Sequence, residues 1–404
     1  MGQIVIAGSF DTKAEPFGNL VKALESLGAS TITIDTGVFG GDYGCSYSAQ
    51  TVAEAAGQQL EALPSLGRAD AVNHMADGAA EILKKVVHQG DADALICMGG
   101  SNAATIFSQL VPVIPIGIPK ILLATVVAGN TRPLVAASDV IMLYPIVDIE
   151  GDNSVLRGMI ARLAHVAVGA VQSGKLQQPG EADKSVALSM FGVTTACVSK
   201  CRKLLAAQNF ESFVFHGNGS GGKSLESFVA QGLVSLVLDI TISELADELF
   251  GGLWGVGPER VSTASQCGVP QVIAPGAIDM INFGSLSTLP EALQHRMLNK
   301  HNELTTLVRT TPEENFQLGE VVADRLGTPT ASTSILIPTQ GFSALDAEGK
   351  PFYDPEANQA FGEGLRSKLS ESISLIELDL HINDAEFAEA LVQEALQNWN
   401  TKQT

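Results

Sequence analysis

Short apolar runs alternate with longer segments in which apolar residues return every three or four positions. The first run covers residues 4–7, a stripe from Phe17 to Leu27 follows, and a second run covers residues 31–34. Continuous short runs are typical of buried strands, and a period of 3.6 is typical of amphipathic helices. This alternation continues to the end of the sequence. It predicts an α/β fold with mainly parallel sheets covered by helices on both faces.

A polar segment interrupts the alternation near the middle of the chain. Residues 173–185 combine Gln, Pro, Gly and charged side chains, a composition typical of a linker. The chain of 404 residues is also too long for one ordinary core. We therefore predict two Rossmann-like domains, residues 1–180 and residues 181–404, with a cleft between them.

The charge balance narrows the range of partners. The chain has 24 basic and 44 acidic residues, and its net charge is −20. Because such a surface repels polyanions, nucleic acids and anionic membranes are poor partners. A small nucleotide remains compatible, since backbone amides at helix N-termini bind phosphate whatever the global charge.

The same composition bears on location and on metals. No export signal is visible at the N-terminus, and prolines and a lysine break the most apolar stretch, residues 106–127. The five cysteines are dispersed except for Cys197 and Cys201, which have the spacing of helix packing and no second ligand pair of zinc spacing. We expect a cytoplasmic protein without a structural metal site.

Three turns in the first half each follow a predicted strand. They cover residues 8–13, 98–102 and 124–132, and the first two are glycine-containing turns that lead directly into helices. Ligands of open α/β sheets bind at the carboxyl edge of the strands, where such turns meet. Amides of residues 9–13 would bind phosphate, with Lys13 as counter-charge; the alternative is that Asp11 or Thr12 only caps a helix.

These turns also carry a resemblance to a known family. Together with residues 35–40, 115–120, 131–133, 138–139 and 147–149, they resemble the Tm-one-like ATP-binding domain family, in the same order along the chain. That family comprises largely uncharacterised bacterial proteins related to the N-terminal part of a tomato mosaic virus resistance protein. The resemblance covers essentially the whole chain and implies two α/β subdomains, ATP bound in the first, and a homodimer.

The resemblance also implies which residues contact the nucleotide. Transferred to this chain, these residues are Asp11, Thr12, Lys13, Gly99, Gly100, Ser101 and Asn102, with Thr125, Thr131 and Arg132 from the third turn. Relatives have two further glycines where this chain has Asn102 and Ala103. A methyl group at Ala103 is therefore expected to narrow the approach to a phosphate.

A glycine-rich octapeptide, residues 217–224, follows a predicted strand in the second half. It matches the Walker A pattern, and it equally matches G-x-G-x-x-G with Asp239 where a ribose-binding acid is expected. Because one loop satisfies two incompatible motifs, we interpret it as an anion-binding turn for a substrate carboxylate or phosphate. The residues that would bind are Gly217, Asn218, Gly219, Gly221, Gly222 and Lys223.

Two residues beside this loop are candidates for a general base. His216 precedes the loop, and Glu244 lies in the acid-rich segment 239–248. For His216 the alternative is a hydrogen-bonded structural histidine. For Glu244 the choice is between a solvated, capped helix start and a carboxylate site for Mg²⁺ or proton transfer. Polar groups within residues 275–284, 301–302 and 381–384 are expected to line a cleft.

Together these observations predict that the first domain binds ATP, with Mg²⁺ as a companion ion, and that the protein acts on or senses a small anionic metabolite. Two classes stay open: an ATP-dependent enzyme of the kinase or ligase type, and a non-catalytic module regulated by nucleotide. A nicotinamide-dependent oxidoreductase using residues 217–222 is a third class, although the first domain has no dinucleotide fingerprint.

Overall fold

The structure is a computed structural model that describes residues 2–135, 137–174 and 184–403, with side chains up to residue 401. The chain divides into two compact units, Met1–Gln178 and Pro179–Thr404, which we call unit 1 and unit 2. Each unit has its own hydrophobic clusters.

Unit 1 is built on a five-stranded parallel sheet. Its strands are β1 (Gln3–Gly8), β2 (Ser30–Asp35), β3 (Ala94–Gly99), β4 (Lys120–Ala124) and β5 (Val140–Leu143). They pair in the order β2-β1-β3-β4-β5, and Ile4 of β1 lies opposite Thr31 on one side and Ala94 on the other. The strand order therefore changes direction between β1 and β3, which is the point where ligands of doubly wound sheets bind.

Helices cover both faces of this sheet. They are α1 (Phe10–Ser26), α2 (Ala49–Ala55), α3 (Arg68–Gln89), α4 (Ser101–Leu110), α5 (Arg132–Val135) and α6 (Ser154–Gln172). The apolar stripes of α1 and α6 pack in one cluster, and those of α2, α3 and α4 pack in another. By length and composition α6 could cross a membrane, but its Leu156, Ile160 and Leu163 are buried in the unit 1 core.

Unit 2 contains a six-stranded parallel sheet and a smaller antiparallel one. The strands are β6 (Ser185–Met190), β7 (Glu211–His216), β8 (Leu236–Thr241), β9 (Gln271–Gly276), β10 (Met280–Phe283), β11 (Leu298–Asn302), β12 (Thr305–Arg309), β13 (Thr333–Pro338) and β14 (Ser374–Leu378). The large sheet has the order β14-β13-β9-β8-β6-β7, and the small one β10-β12-β11.

The helices of unit 2 are α7 (Thr195–Ala206), α8 (Ser220–Ala230), α9 (Glu244–Phe250), α10 (Thr263–Cys267), α11 (Pro312–Leu326), α12 (Pro355–Lys368) and α13 (Ala385–Gln403). On one face of the large sheet α7 and α13 pack together, and the remaining helices cover the other face. The predicted fold class is confirmed. The small antiparallel sheet was not predicted, because Asn282 and the short length of β10 hide its strand pattern.

Candidate functional site

A cavity of about 610 Å³ opens at the carboxyl edge of the unit 1 sheet. It lies beyond the ends of β1 and β3, where the strand order changes direction, so we call it the switch-point cavity. Its size is within the usual range for small-molecule sites, roughly 300–1,000 Å³. The position and the volume make it the candidate ligand site of this unit.

Three helices begin at this cavity. Ser9, Gly67 and Gly100 precede α1, α3 and α4, they all line the cavity, and none caps its helix with a side chain. The first turn of a helix has backbone amides without intrahelical acceptors and carries the positive end of the helix dipole. Three such ends at one cavity favour an anionic ligand, in a chain whose net charge is −20.

Two basic side chains add to this positive end. Lys13 lines the cavity with its side chain 19% exposed, and its Nζ donates to the Ile149 carbonyl and lies 3.5 Å from Glu150 Oε2. The backbone at Lys13 leaves helical geometry, with φ −134° and ψ 34°, which interrupts the first turn of α1. Arg68, the first residue of α3, lines the cavity and is exposed. The cavity therefore has helix N-termini, two cations and one carboxylate, Asp148, in its lining.

The turn after β3 has space beside its backbone. A Cβ placed on Gly100 would meet only the Thr125 hydroxyl, at 3.8 Å. Gly99 adopts φ +154°, a conformation that glycine accepts and other residues rarely do. Ala103 is buried, and its methyl lies 2.9 Å from a Cβ built on Gly99, so it packs beneath the turn while still contributing to the lining. A ligand can thus approach the backbone of Gly100.

The structure brings together seven of the ten predicted nucleotide contacts. Those that line the cavity are Thr12, Lys13, Gly99, Gly100, Ser101, Asn102 and Thr125. Thr131 and Arg132 lie at the start of the short helix α5 and are not in the lining. Asp11 is not in the lining either, since its Oδ2 atom accepts a hydrogen bond from the Phe39 amide at 3.1 Å.

The apolar part of the cavity lining was not predicted, apart from Met98 in the turn 98–102. Its residues are Val38, Phe39, Pro64, Ala71, Val72 and Met98. Val38, Phe39 and Pro64 lie within residues 36–67, where the sequence has no clear periodicity. The sequence signal that could have indicated this part of the site is Phe39. It lies in a glycine-containing loop, where an aromatic side chain is not expected to pack in the core.

The glycine-rich loop of unit 2 differs from the predicted anion-binding turn, because a carboxylate of the chain itself occupies its amides. Glu244 Oε1 accepts from the amides of Gly219 at 2.6 Å and Gly222 at 3.1 Å. A Cβ on Gly222 would lie 2.1 Å from Glu244 Oε2, so this glycine makes room for the carboxylate. Lys223 is exposed, and its position does not support the phosphate-binding role of a Walker A lysine.

Three further amides of this loop also have acceptors within the chain. Gly217 donates to the Met190 carbonyl, Asn218 to His216, and Gly221 to the Asn218 side chain. A Cβ on Gly221 would approach the His216 carbonyl to 1.8 Å. Close packing therefore explains Gly221 and Gly222, and the φ of +86° explains Gly219, so neither a P-loop nor a dinucleotide loop is needed to account for them.

Arg260 holds the buried acids around this loop together. Its guanidinium is fully buried and pairs with Glu244 at 2.8 Å, Glu226 at 3.3 Å and both oxygens of Asp239. Asp239 is 2% exposed and also accepts from Ser189. Both carboxylate oxygens of Asp239 accept hydrogen bonds within this network, which argues against the ribose-binding role that its position had suggested.

The predicted catalytic pair is separated by burial. Glu244 is 0% exposed within the Arg260 network, whereas His216 is exposed and its ring contacts the Phe191 ring in a tilted arrangement, with ring centroids 5.5 Å apart. The start of α9 is not the solvated helix start that we considered. Asp247 is buried as well, and burial raises its pKa to about 7 while amides of Asn282 and Trp254 donate to it.

Of the polar groups expected to line a cleft, Asp279 and Asn282 are buried inside unit 2, residues 301–302 are exposed and His381 is half-buried. Asp279 is 0% exposed, and burial, with the neighbouring Asp346 charge, raises its pKa to about 7. Ser343 Oγ donates to Asp279 at 2.7 Å, and the Ser343 carbonyl contacts His381 Nε2 at 2.9 Å. Cys197 and Cys201 are core residues. Within the described parts of the chain, no cluster of three His, Cys, Asp or Glu side chains could hold a metal ion.

Comparison with known proteins shows where this chain belongs. A protein of Clostridium tetani described as a UPF0261 protein is 36% identical over 397 residues, which are 98% of each chain, and one from Rhizobium meliloti is 34% identical. The ToMV resistance protein Tm-1 of Solanum lycopersicum is 37% identical over 309 residues; these cover 75% of this chain but 41% of the tomato protein. A solved structure of an uncharacterized Bacillus cereus protein shares 12% identity at a TM-score of 0.28, covering 87% and 98% of the two chains.

Family models agree with these relatives. Residues 2–176 match the N-terminal domain of the uncharacterised protein family UPF0261, and residues 183–399 match its C-terminal domain. The resemblance noticed in the sequence is therefore confirmed, and this chain is a member of the UPF0261 family, to which the tomato Tm-1 proteins are related.

Proposed function

We propose that unit 1 binds ATP in the switch-point cavity. The observation that carries this proposal is the convergence on one cavity of three helix N-termini whose N-cap residues make no side-chain cap, together with Lys13 and Arg68, although the first amide of α1 already donates to Asp35. Backbone amides and helix dipoles are well suited to phosphate groups, and a lysine supplies the counter-charge. Two cations and three helix N-termini at one cavity, in a chain whose net charge is −20, support an anionic ligand there.

The lining of the cavity contains groups suited to both parts of a nucleotide. Its polar residues include Lys13 and Ser101, and its apolar residues include Phe39 and Val72. A simple inorganic anion would use only the polar residues, whereas ATP would use both sets. Mg²⁺ usually reaches such sites bound to the phosphates and keeps several waters, and Asp148 is a carboxylate in the lining that could support it.

Other predicted properties stay predictions. They are the small anionic metabolite, the homodimer, the cytoplasmic location and the domain division at residue 180. The choice between an ATP-dependent kinase or ligase and a nucleotide-regulated module also stays open. Amides of loop 217–224 already bind the Glu244 carboxylate, which supports neither a nicotinamide cofactor nor a second nucleotide there.

The test is a calorimetric titration with ATP and Mg²⁺ of the wild type and two matched variants, Lys13→Met and Lys223→Met. Both variants replace one lysine by an uncharged side chain of similar length beside a glycine-containing turn. We expect Lys13→Met to weaken ATP binding at least tenfold, or about 1.4 kcal/mol, and Lys223→Met to leave it unchanged. Loss of binding in Lys223→Met alone would contradict the proposal.

A further inference from the structure

We propose that Phe39 is a stacking platform for the base of the bound nucleotide and that Asp11 is the positioning residue that holds it. This inference rests on the proposed ATP site. In this role Phe39 favours the binding of a ligand with a planar ring over that of a bare polyphosphate. It also gives Asp11 a role different from direct contact with the nucleotide.

The exposure of Phe39 is the first observation. Its side chain is 74% exposed, yet it lines the switch-point cavity. Among the large apolar side chains that are exposed in the described residues, it is the one that belongs to this lining. An exposed aromatic ring among the apolar residues of the lining matches a heterocyclic base, which stacks on aromatic rings whatever its pattern of hydrogen-bond donors and acceptors.

The contacts of Asp11 are the second observation. Asp11 Oδ2 accepts from the Phe39 amide at 3.1 Å, while the Oδ1 atom is buried without a hydrogen-bond partner. A Cβ on Gly37 would lie 2.5 Å from Asp11 Cγ, so only glycine at position 37 lets the carboxylate reach this loop. Asp11 therefore faces residues 37–39 and fixes the backbone that carries the Phe39 ring.

A second carboxylate ties the same loop to the same helix. Asp35 Oδ1 accepts from the Phe10 amide at 3.1 Å and from the Gly37 amide at 2.8 Å. Asp35 is 1% exposed, and burial raises its pKa. Because Phe10 and Asp11 open the helix that carries Thr12 and Lys13, the aromatic platform and the phosphate end of the cavity are held by one short stretch of chain.

Stacking predicts a selective loss of affinity. Removing an aromatic platform weakens base binding roughly 5- to 150-fold in other nucleotide sites, whereas it leaves phosphate contacts in place. We therefore expect Phe39→Ala to weaken ATP about tenfold or more and to leave inorganic tripolyphosphate within twofold of the wild type. Phe39→Tyr should keep the ATP affinity, because a phenol ring stacks as well as a phenyl ring.

The Asp11 variants separate positioning from charge. Asp11→Ala removes the acceptor of the Phe39 amide and should weaken ATP severalfold with little change in tripolyphosphate. Asp11→Asn retains an oxygen that can accept the same hydrogen bond and should restore most of the ATP affinity. A purely structural role would instead change the binding of both ligands together.

A fluorescence experiment supplies a second readout. The chain has two tryptophans, Trp254 and Trp399, and both belong to unit 2. Phe39→Trp places an indole at the cavity, so stacking on adenine should quench its emission. We expect quenching with ATP that saturates at the calorimetric affinity, and none with tripolyphosphate.

The outcomes divide clearly. Wild-type affinity for ATP in Phe39→Ala, or an equal loss of ATP and tripolyphosphate, would overturn the stacking role while the ATP site survives. A wild type that binds tripolyphosphate as tightly as ATP would overturn it as well. If the wild type binds neither ligand, the proposed function itself fails and this inference fails with it.

Discussion

The two units each place a glycine-containing turn at the N-terminus of a helix, and they use it differently. In unit 1 the turn at Gly99 and Gly100 opens on a cavity, with 3.8 Å between a Cβ on Gly100 and the nearest side-chain atom. In unit 2 the turn at Gly219 and Gly222 is closed by Glu244, a buried carboxylate of the same chain. One helix end is available for a ligand, and the other already has its anion.

This difference shows why a glycine pattern alone does not identify a phosphate site. The loop in unit 2 has the better motif, since residues 217–224 satisfy Walker A, yet its amides have acceptors within the chain. The turn in unit 1 matches no standard fingerprint. What distinguishes them is whether the chain supplies an acid that reaches the amides, and that acid can be distant in sequence.

Replacing Arg260 by methionine should have the largest effect. The substitution leaves Glu244, Glu226 and Asp239 buried without their shared cation, which typically costs about 3–5 kcal/mol. Urea unfolding followed by the two tryptophans, both in unit 2, measures the loss. The matched control is Arg202→Met at an exposed arginine on α7 of unit 2, for which we expect a change below about 0.5 kcal/mol. An equally small change in Arg260→Met would mean that the buried network is dispensable.

Alanine substitutions at two glycines test the closed and open turns directly. Gly222→Ala drives a methyl into Glu244 and should destabilise the protein by about 3 kcal/mol. Gly100→Ala meets no atom closer than 3.8 Å and should cost less than about 1 kcal/mol, but weaken ATP roughly tenfold. Thermal unfolding and ATP titration of both variants measure these effects. The opposite pattern, in which only Gly222→Ala lowers the affinity for ATP, would contradict the prediction.

The buried acids of α9 provide a smaller, pH-dependent difference. Burial raises the pKa of Asp247 from 3.8 to about 7, so the folded wild type binds a proton that the unfolded chain has released. Wild-type stability is therefore lost as pH rises toward about 7. Asp247→Asn does not titrate, so its stability relative to the wild type should rise by about 2 kcal/mol between about pH 5.5 and about pH 8. A pH-independent difference in denaturation would refute the raised pKa.

Much of unit 1 could be predicted from the sequence. Alternating apolar patterns located β1 to β5, and the turns after β1 and β3 were recognised because strand ends and helix starts leave local signals such as Gly99 and Lys13. Parallel pairing then places those turns at one edge. That is why seven predicted residues meet at the cavity.

The remainder depends on long-range contacts that leave no local pattern. Phe39 reaches the cavity from residues 36–67, a segment without periodicity, and Arg68 follows that segment as the first residue of α3. Arg260 is an isolated arginine in sequence, and only the fold brings it to Glu226 and Glu244. A warning was present in Glu226, which lies on the apolar stripe of α8 beside Leu225 and Val229, where a carboxylate needs a buried partner.

The most direct test of the account is hydrogen–deuterium exchange of the wild type with and without saturating ATP and Mg²⁺. ATP bound in the switch-point cavity should slow exchange of the backbone amides in residues 9–13, 67–72 and 100–103, because these amides and helix ends would bind the nucleotide. Residues 217–224 should show no change, since their amides already donate within the chain. Protection confined to residues 217–224, with none at the switch-point cavity, would contradict it.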